Sequence, residues 1–505
     1  MQTNVLDYLE QIVEIYPNKV AYANEDISLT FQDVYQRAKA ISSGIIDKQI
    51  YKKPVVVYMQ KSPLAITAFL GVVYSGNYYV PMDEEMPLYR VEMIFQSLQP
   101  ECIICDIHTK EAISHLHIDA SICIYDELIQ TAIHQEKIDA IYKTMLDIDP
   151  LYIVFTSGST GVPKGVVACH RSVIDYIENL SQVLQISSNT IFGNQAPLYF
   201  DACLKEIYPT LKFGATTFLI PKQLFMFPIQ LIEYLNQHKI NTICWVASAL
   251  SLVSGLQTFG QIQPKYLHTI AFGSEVFPIQ QYQQWKEVLP NARFINLYGP
   301  TEATGMSCYF EVNREFGIHE VIPIGKPFHN TEILLLKEDG TLADAGEIGE
   351  ICIRGTAVTM GYYHNPQKTN EAFVQNPLNP HYPEIIYKTG DLAKYNEYHE
   401  LIFVSRKDYQ IKHMGHRIEL GEIELQSCTL DGMTSACCIY DQHKDKIILV
   451  YLGHVLPKVL KKYLKEKLPR YMLPHKVIQL EQMPYTANGK IDRKLLKEKF
   501  VESEG

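Results

Sequence analysis

Short apolar runs rich in β-branched and aromatic residues alternate with helix-period segments along the N-terminal part of the chain, and that alternation limits it to an α/β body with largely buried strands. PVVVYM (54–59), ECIICD (101–106), LYIVFTS (151–157) and TICWVAS (242–248) read as strands, and FPIQLIEYLNQHKI (227–240) as a helix. From about residue 323 the texture changes to Gly-punctuated strands, as in IPIGKPFHNTEILLLKEDGTLADAGEIGEICIRG, which predicts a β-rich subdomain with hairpins. A further α/β segment follows the charged stretch SRKDYQIKHMGHR (405–417). A chain of 505 residues exceeds one ordinary core. We therefore expect a large N-terminal α/β domain over 1–407 and a small C-terminal α+β domain over 408–505. No repeat or low-complexity linker separates them, so the boundary should be a short hinge near Asp408.

The segment LYIVFTSGSTGVPKGVVACH (151–170) carries the chemistry most openly. A buried strand runs into a loop dense in Gly, Ser and Thr, whose backbone N–H groups and hydroxyls can approach phosphate oxygens while Lys164 adds a mobile charge. It is not a Walker A loop, because Pro163 precedes Lys164 and Gly165 follows it.

Several classes are excluded. The net charge of -11 argues against a nucleic-acid surface. It is uneven: from residue 409 onward 16 Lys+Arg face 12 Asp+Glu, leaving +4 there and -15 before it. The basic segment LPKVLKKYLKEKL reads as a lysine-rich solvated helix. No apolar run is long enough to span a bilayer, and the start MQTNVLDYLEQIVEIYP lacks the basic-then-apolar order of a secretory signal, so a cytoplasmic location with reduced cysteines is expected. The eleven cysteines lack disulfide spacing, and the one CxxC, Cys102 to Cys105, has no second pair to complete a zinc set. We read it, and the adjacent Cys437 and Cys438, as plain buried strand.

TSGSTGVPKG closely resembles the signature loop of the adenylate-forming superfamily, which includes acyl-CoA synthetases, luciferases and the adenylation domains of nonribosomal peptide synthetases. The resemblance extends, in order, through VYSGNYYVPMD (73–83), NLYGPTEAT (296–304), GEIGEICIRG (346–355), YKTGD (387–391), SRKDYQIKHMGHRIELGEIE (405–424) and PYTANGKIDR (484–493), covering essentially the whole chain. It implies the acyl-adenylate synthetase fold with a mobile C-terminal domain. It also implies activation of a carboxylate by ATP and magnesium, with expulsion of pyrophosphate.

By that resemblance Thr156, Ser157, Gly158, Ser159, Thr160, Gly161 and Lys164 hold the outer phosphates, Thr301 meets the α-phosphate and Glu302 helps bind magnesium. Tyr298 would lie against adenine with Gly273, Ser274, Glu275, Asn296, Leu297 and Gly299 around it, and Asp391 would accept from the ribose hydroxyls with Arg406 nearby. Lys490, in TANGKIDR, resembles the lysine that enters from the small domain to bridge carboxylate and phosphate oxygens. Asp408 matches the hinge, and residues 411–417, with Gly415 allowing close backbone approach, would form part of a thiol tunnel. Read alone, Glu302 could simply open a helix, Asp391 could be a turn residue, and Lys490 an exposed lysine in an Asn-Gly turn.

Phe200-Asp201 matches the site where amino-acid-activating members hold the substrate ammonium. The pocket positions carried over are Asp201, Ala202, Lys205, Cys244, Ile270, Phe272, Leu297, Gly305 and Met306, closed by Lys490. Lys205 in an otherwise apolar pocket invites an acidic side chain, and Asp-Ala-Lys resembles pockets that accept glutamate. Alternatively Lys205 pairs with Asp201 four residues earlier, or snorkels outward. D-alanine:carrier-protein ligases are similar in size and stand-alone architecture, but have an apolar residue where Lys205 stands and a cysteine at the position of Phe272. The expected acceptor is the phosphopantetheine thiol of a separate carrier protein, since no carrier motif follows residue 493. CoA as acceptor, and a nucleotide-binding regulator without catalysis, remain as alternatives.

Overall fold

The apolar runs are strands, and their uninterrupted burial follows from helices covering both faces of the sheets they form. The computed structural model describes residues 2–116, 118–158, 161–317, 320–442, 444–485 and 491–501. The chain divides into two units. One comprises Met1–Glu84, Pro100–Val154 and Gly165–Lys407; the other comprises Glu85–Gln99, Phe155–Lys164 and Asp408–Gly505.

The first unit holds two large sheets. One orders its strands Ser121–Ile124, Cys102–Cys105, Pro54–Tyr58, Tyr78–Met82, Pro150–Thr156 and Lys164–Cys169, the first five in parallel. The other runs Lys326–Pro327, Cys308–Glu311, Arg293–Tyr298, Thr269–Gly273, Thr242–Val246, Ile191–Asn194, Thr216–Leu219, Val20–Ala23 and Ser28–Thr30, parallel from Arg293–Tyr298 to Val20–Ala23. The β-rich subdomain is an antiparallel sheet in which Ile385–Tyr395 pairs with Gly349–Gly355, Phe373–Gln375 and Leu401–Arg406, and Thr331–Leu336 extends the edge.

Strand alternation splits the second large sheet into two faces. Cys244 pairs in register with Ala271, Ala271 with Ile295, and Gly273 with Leu297. Of these, Cys244, Ala271, Ile295 and Leu297 enter the core that also contains Tyr176, Cys203 and Met306. Their neighbours Ile243, Trp245, Ile270, Phe272 and Phe294 enter a separate core with Phe277 and Tyr282.

In the second unit the hairpin Gln410–His413 and His416–Glu419 leads into the helix Leu420–Cys428 and a sheet of Met433–Asp441, Lys446–Gly453 and Lys476–Leu480. The hairpin turns through Met414 and Gly415, both with positive φ, as a two-residue loop of this kind demands. The lysine-rich segment is the helix Pro457–Lys467, which buries only Leu460 and Leu464 and leaves its charges in water. All eleven cysteines are free thiols and ten are buried; Cys102–Cys105 is a strand of four buried residues. Among the described residues no helix is long and apolar enough to cross a membrane.

His170 opens the helix His170–Leu184 with its ring buried, its Nδ1 accepting from the backbone N–H of Val5 at 3.3 Å. Burial holds its pKa down at about 4 against an ordinary 6.5. Because the folded value is depressed, this group's contribution is present above pH 6.5 and is lost as pH falls toward 4, a difference of roughly 3 kcal/mol. His170→Gln should flatten that acid limb in urea melts taken across this range. A stability difference from the unaltered protein that does not change with pH would place the proton elsewhere.

Candidate functional site

In parallel sheets the carboxyl ends of the strands leave backbone groups and loops available to a ligand. Gly273, Ser274 and Glu275 stand at one such end, and Asn296, Leu297, Tyr298 and Gly299 at the next. The close approach needs glycine: a Cβ on Gly273 would lie 2.3 Å from the Leu297 carbonyl oxygen, and one on Gly299 2.5 Å from that of Gly305. Ser274 adopts a left-handed φ of 66°. Glu275 accepts from the Ser248 N–H at 2.9 Å, and the Asn296 amide donates to the Pro323 carbonyl at 2.8 Å.

Tyr298, Asp391 and Arg406 come together. The Tyr298 hydroxyl donates to Asp391 Oδ2 at 2.6 Å, and Arg406 pairs with Oδ1 from the register-matched position of the neighbouring strand. Asp391 is therefore a strand residue, not a turn residue, and is almost fully buried. Thr301 and Glu302 lie on a single 3-10 turn, Thr301–Ala303, rather than a longer helix. Glu302 is fully buried, and its Oε1 accepts from the Tyr362 hydroxyl at 2.8 Å.

Asp201 begins a second short turn, Asp201–Cys203, that feeds the helix Leu204–Phe213. Burial pushes its carboxyl pKa up, opposed by a hydrogen bond from Thr301 and by the charge of Lys205. The alternative of an Asp201–Lys205 ion pair is not realised: Lys205 is 5% exposed, so it does not snorkel outward, yet it makes no hydrogen bond or ion pair with a described residue. The turn ends at Cys203 and the α-helix starts at Leu204, so the two residues do not share the regular helical spacing that would bring them together.

Cys244, Leu297 and Met306 belong to the core beside Asp201, and Ala202 packs against it, half-buried. Gly305, with φ 91°, faces Tyr176. Ile270 and Phe272 do not join them. Side-chain alternation sends both to the opposite face with Trp245 and Phe277, and Ala271 takes the place between Cys244 and Ile295. Four polar residues that the sequence reading missed lie in or beside this core. Glu206, fully buried, has its pKa raised to about 7 by burial, with Lys205 opposing; its Oε2 accepts from Asn194 at 3.2 Å, and its Oε1 has no partner among the described residues. Lys61 donates to the carbonyls of Asn194 and Gln195 at 3.3 and 3.1 Å, its pKa lowered to about 8 by burial. The hydroxyls of Tyr152 and Tyr176 are buried without a hydrogen bond among the described residues, and both feel the charge of Asp201.

The Gly/Ser/Thr loop belongs to the second unit. The Ser157 hydroxyl donates to the Arg417 carbonyl at 2.9 Å and accepts from the Glu419 N–H at 3.2 Å. The Gly158 N–H donates to Glu422 Oε2 at 3.3 Å, and Lys164 lies 4.0 Å from Glu419 Oε1. Gly161 closes the turn through its N–H to the Gly158 carbonyl at 2.9 Å. Glu422, buried, is paired with Arg90. Burial raises the pKa of both glutamates. Asp408 is the first residue of this unit's C-terminal part and accepts from the Gln410 N–H at 3.1 Å. Thr156 is buried at the end of its strand. Ser159, Thr160 and Lys490 lie outside the described residues.

A family model described as AMP-binding enzyme matches residues 9–363. Tyrocidine synthase 1 of Brevibacillus parabrevis is 31% identical over 500 residues, 97% of this chain and 44% of its own length. D-alanine–D-alanyl carrier protein ligase of Bacillus licheniformis is 31% identical over 518 residues, 98% of this chain and 99% of its own. The chain thus spans less than half of the first relative and nearly all of the second. Among solved structures, the artificially fused adenylation-PCP di-domain NpsA-ThdA from Klebsiella oxytoca superposes with a TM-score of 0.81 at 20% identity over 94% of each chain. A variant of o-succinylbenzoate CoA synthetase from Bacillus subtilis reaches 0.84 at 20% over 98% of each. These structural likenesses establish the α/β fold with its large sheets. With the family model covering most of the chain, and the two relatives matching it end to end, the chain belongs to the AMP-binding enzyme family and is an adenylate-forming ligase.

Proposed function

We propose that the chain activates an amino acid with an acidic side chain as its aminoacyl-adenylate, releasing pyrophosphate, and passes the acyl group to the phosphopantetheine thiol of a carrier protein, releasing AMP. The observation that carries this reading is the buried pair of opposite charges that do not bond to each other: Asp201 for the substrate ammonium, Lys205 for its side-chain carboxylate. Asp201 is met by the Thr301 hydroxyl and feels Lys205 only through space, as Glu206 does, so ligand charges of opposite sign would complete both groups. Carboxylates are poor electrophiles, and attack of the substrate carboxylate on the α-phosphate requires donors aimed at spreading phosphoryl charge. Thr301, beside Asp201, and Lys490 are assigned that role. Tyr298, Asp391 and Arg406 would hold adenine and ribose.

The loop from Thr156 to Lys164 takes the outer phosphates in this reading. Its Gly158 N–H and Lys164 already attract the carboxylates of Glu422 and Glu419, which supports an affinity for anions. Among the described residues no group of three or more His, Cys, Asp or Glu could hold a metal alone. Magnesium bound with the nucleotide would take one hard oxygen donor from Glu302, a set that suits it. When bound, it offsets repulsion between phosphate and incoming carboxylate.

A second reading is ligation of D-alanine to a carrier protein. It is favoured by the full-length match to such a ligase and by Phe272, which faces away and does not narrow the pocket. The two separate in amino-acid-dependent pyrophosphate exchange with L-glutamate, L-aspartate, D-alanine and aryl acids. The acidic reading expects glutamate or aspartate to lead. Lys205→Ala should then cost about 100-fold in kcat/KM for the acid, as loss of a buried charge partner does. Unchanged selectivity in that variant would place the lysine elsewhere, and exchange with D-alanine alone would favour the second reading.

A further inference from the structure

We propose that the Tyr176 hydroxyl is a specificity-determining donor, sharing the substrate's side-chain carboxylate with Lys205. The inference rests on the acidic-substrate reading above and deepens it. Tyr176 projects from the helix His170–Leu184 into the core that holds Cys244, Leu297 and Met306, and is 1% exposed. Its hydroxyl makes no hydrogen bond with a described residue.

Residues carried over to the proposed substrate pocket surround that hydroxyl. A Cβ built on Gly305 would stand 3.5 Å from the hydroxyl oxygen, so the missing side chain of a pocket residue is what leaves room beside it. The charges of Asp201 and Glu206 and the thiol of Cys244 all reach the phenol electrostatically, and Cys244 in turn feels Lys205. Tyr176 bonds to neither carboxylate, although a phenol is a good donor to one. A buried donor without an acceptor is expensive to maintain and is the exception in folded proteins, so an acceptor brought by the ligand gives it a reason to persist.

Tyr152 provides the contrast. Its hydroxyl is also unbonded, but it lies among Tyr208, Cys203 and Cys169, and its ring packs against Tyr79 at 5.8 Å between centroids. Tyr152 shares the charge of Asp201 with Tyr176, but neither Gly305 nor Cys244, the pocket positions beside the Tyr176 hydroxyl, acts on it.

The test is pyrophosphate exchange by the full chain with L-glutamate and with L-norvaline, a neutral side chain of similar length. Tyr176→Phe should lower kcat/KM for glutamate by about 10- to 100-fold, the range for a hydrogen bond to a charged acceptor, and leave norvaline within about twofold. Tyr152→Phe should leave the ratio of the two substrates unchanged. Because Tyr176→Phe deletes an unbonded buried hydroxyl, its melting temperature should equal or exceed that of the unaltered protein. A fall in stability would show a partner in the free protein and overturn the proposal. So would glutamate activation within twofold of normal in Tyr176→Phe, or an equal loss in Tyr152→Phe, while the acidic reading stands. Failure of the unaltered protein to activate any acidic amino acid would remove that reading itself, and this inference with it.

Discussion

Asp201→Asn should reduce amino-acid-dependent pyrophosphate exchange by about 100- to 1,000-fold without lowering the melting temperature, because in the proposed function the carboxylate serves the ligand at the expense of the fold. Burial raises the Asp201 pKa. A raised carboxyl pKa means that the folded state holds its proton more tightly than the unfolded state. Stability contributed by this group is therefore lost as pH climbs above the ordinary 3.8, and by neutral pH the ionised side chain is a net cost. Asparagine keeps the shape and can still meet the Thr301 hydroxyl, but offers no charge to an ammonium. Activity with amines removed from the substrate, such as the corresponding simple acids, should suffer much less. If Asp201→Asn retains amino-acid activation, the ammonium anchor lies elsewhere and the amino-acid reading loses its support.

Glu302→Gln is expected to slow adenylation by about 100-fold, and to raise the magnesium concentration needed for half-maximal exchange. Glu302 is fully buried, and its partner Tyr362 reaches it from the loop following the strand Gly349–Gly355. A glutamine can still accept that hydrogen bond, so the fold should tolerate the change and the melting temperature should move little. Direct titration of magnesium with a nonhydrolysable ATP analogue separates metal affinity from rate. An unaltered magnesium dependence would assign Glu302 to holding the 3-10 turn rather than to the metal.

What was legible in the sequence follows the range over which each property is set. Strands such as Cys102–Cys105 and Thr242–Val246 and the helix Pro228–Gln237 were readable because burial of a strand and the period of a helix are local patterns. The clustering of Tyr298 with Asp391 and Arg406, 93 residues and more away, was accessible only through the ordered motifs. The face taken by Ile270 and Phe272 was not legible. In a strand buried on both sides nothing in the residue types says which face each residue serves; only the register with Cys244 and Leu297 decides it. Tyr176, Glu206 and Lys61 were missed for a related reason. Each stands beside another polar residue, Asp175, Lys205 and Gln60 respectively, so it reads as surface, and its burial is a product of packing between distant segments. The loop at 155–164 was read correctly as a strand-to-loop transition, but its hydrogen bonds to residues 417–422 are tertiary.

The central claim is that this chain joins an amino acid to AMP. The most direct measurement incubates it with magnesium, ATP labelled at the α-phosphate and the amino-acid panel, then separates the products and analyses the enzyme-bound fraction by mass spectrometry. The account predicts label in AMP and in an aminoacyl-adenylate, with unlabelled pyrophosphate released only when an amino acid is present. Formation of ADP and phosphate, or an adenylate that forms only with acids lacking an amine, would contradict it.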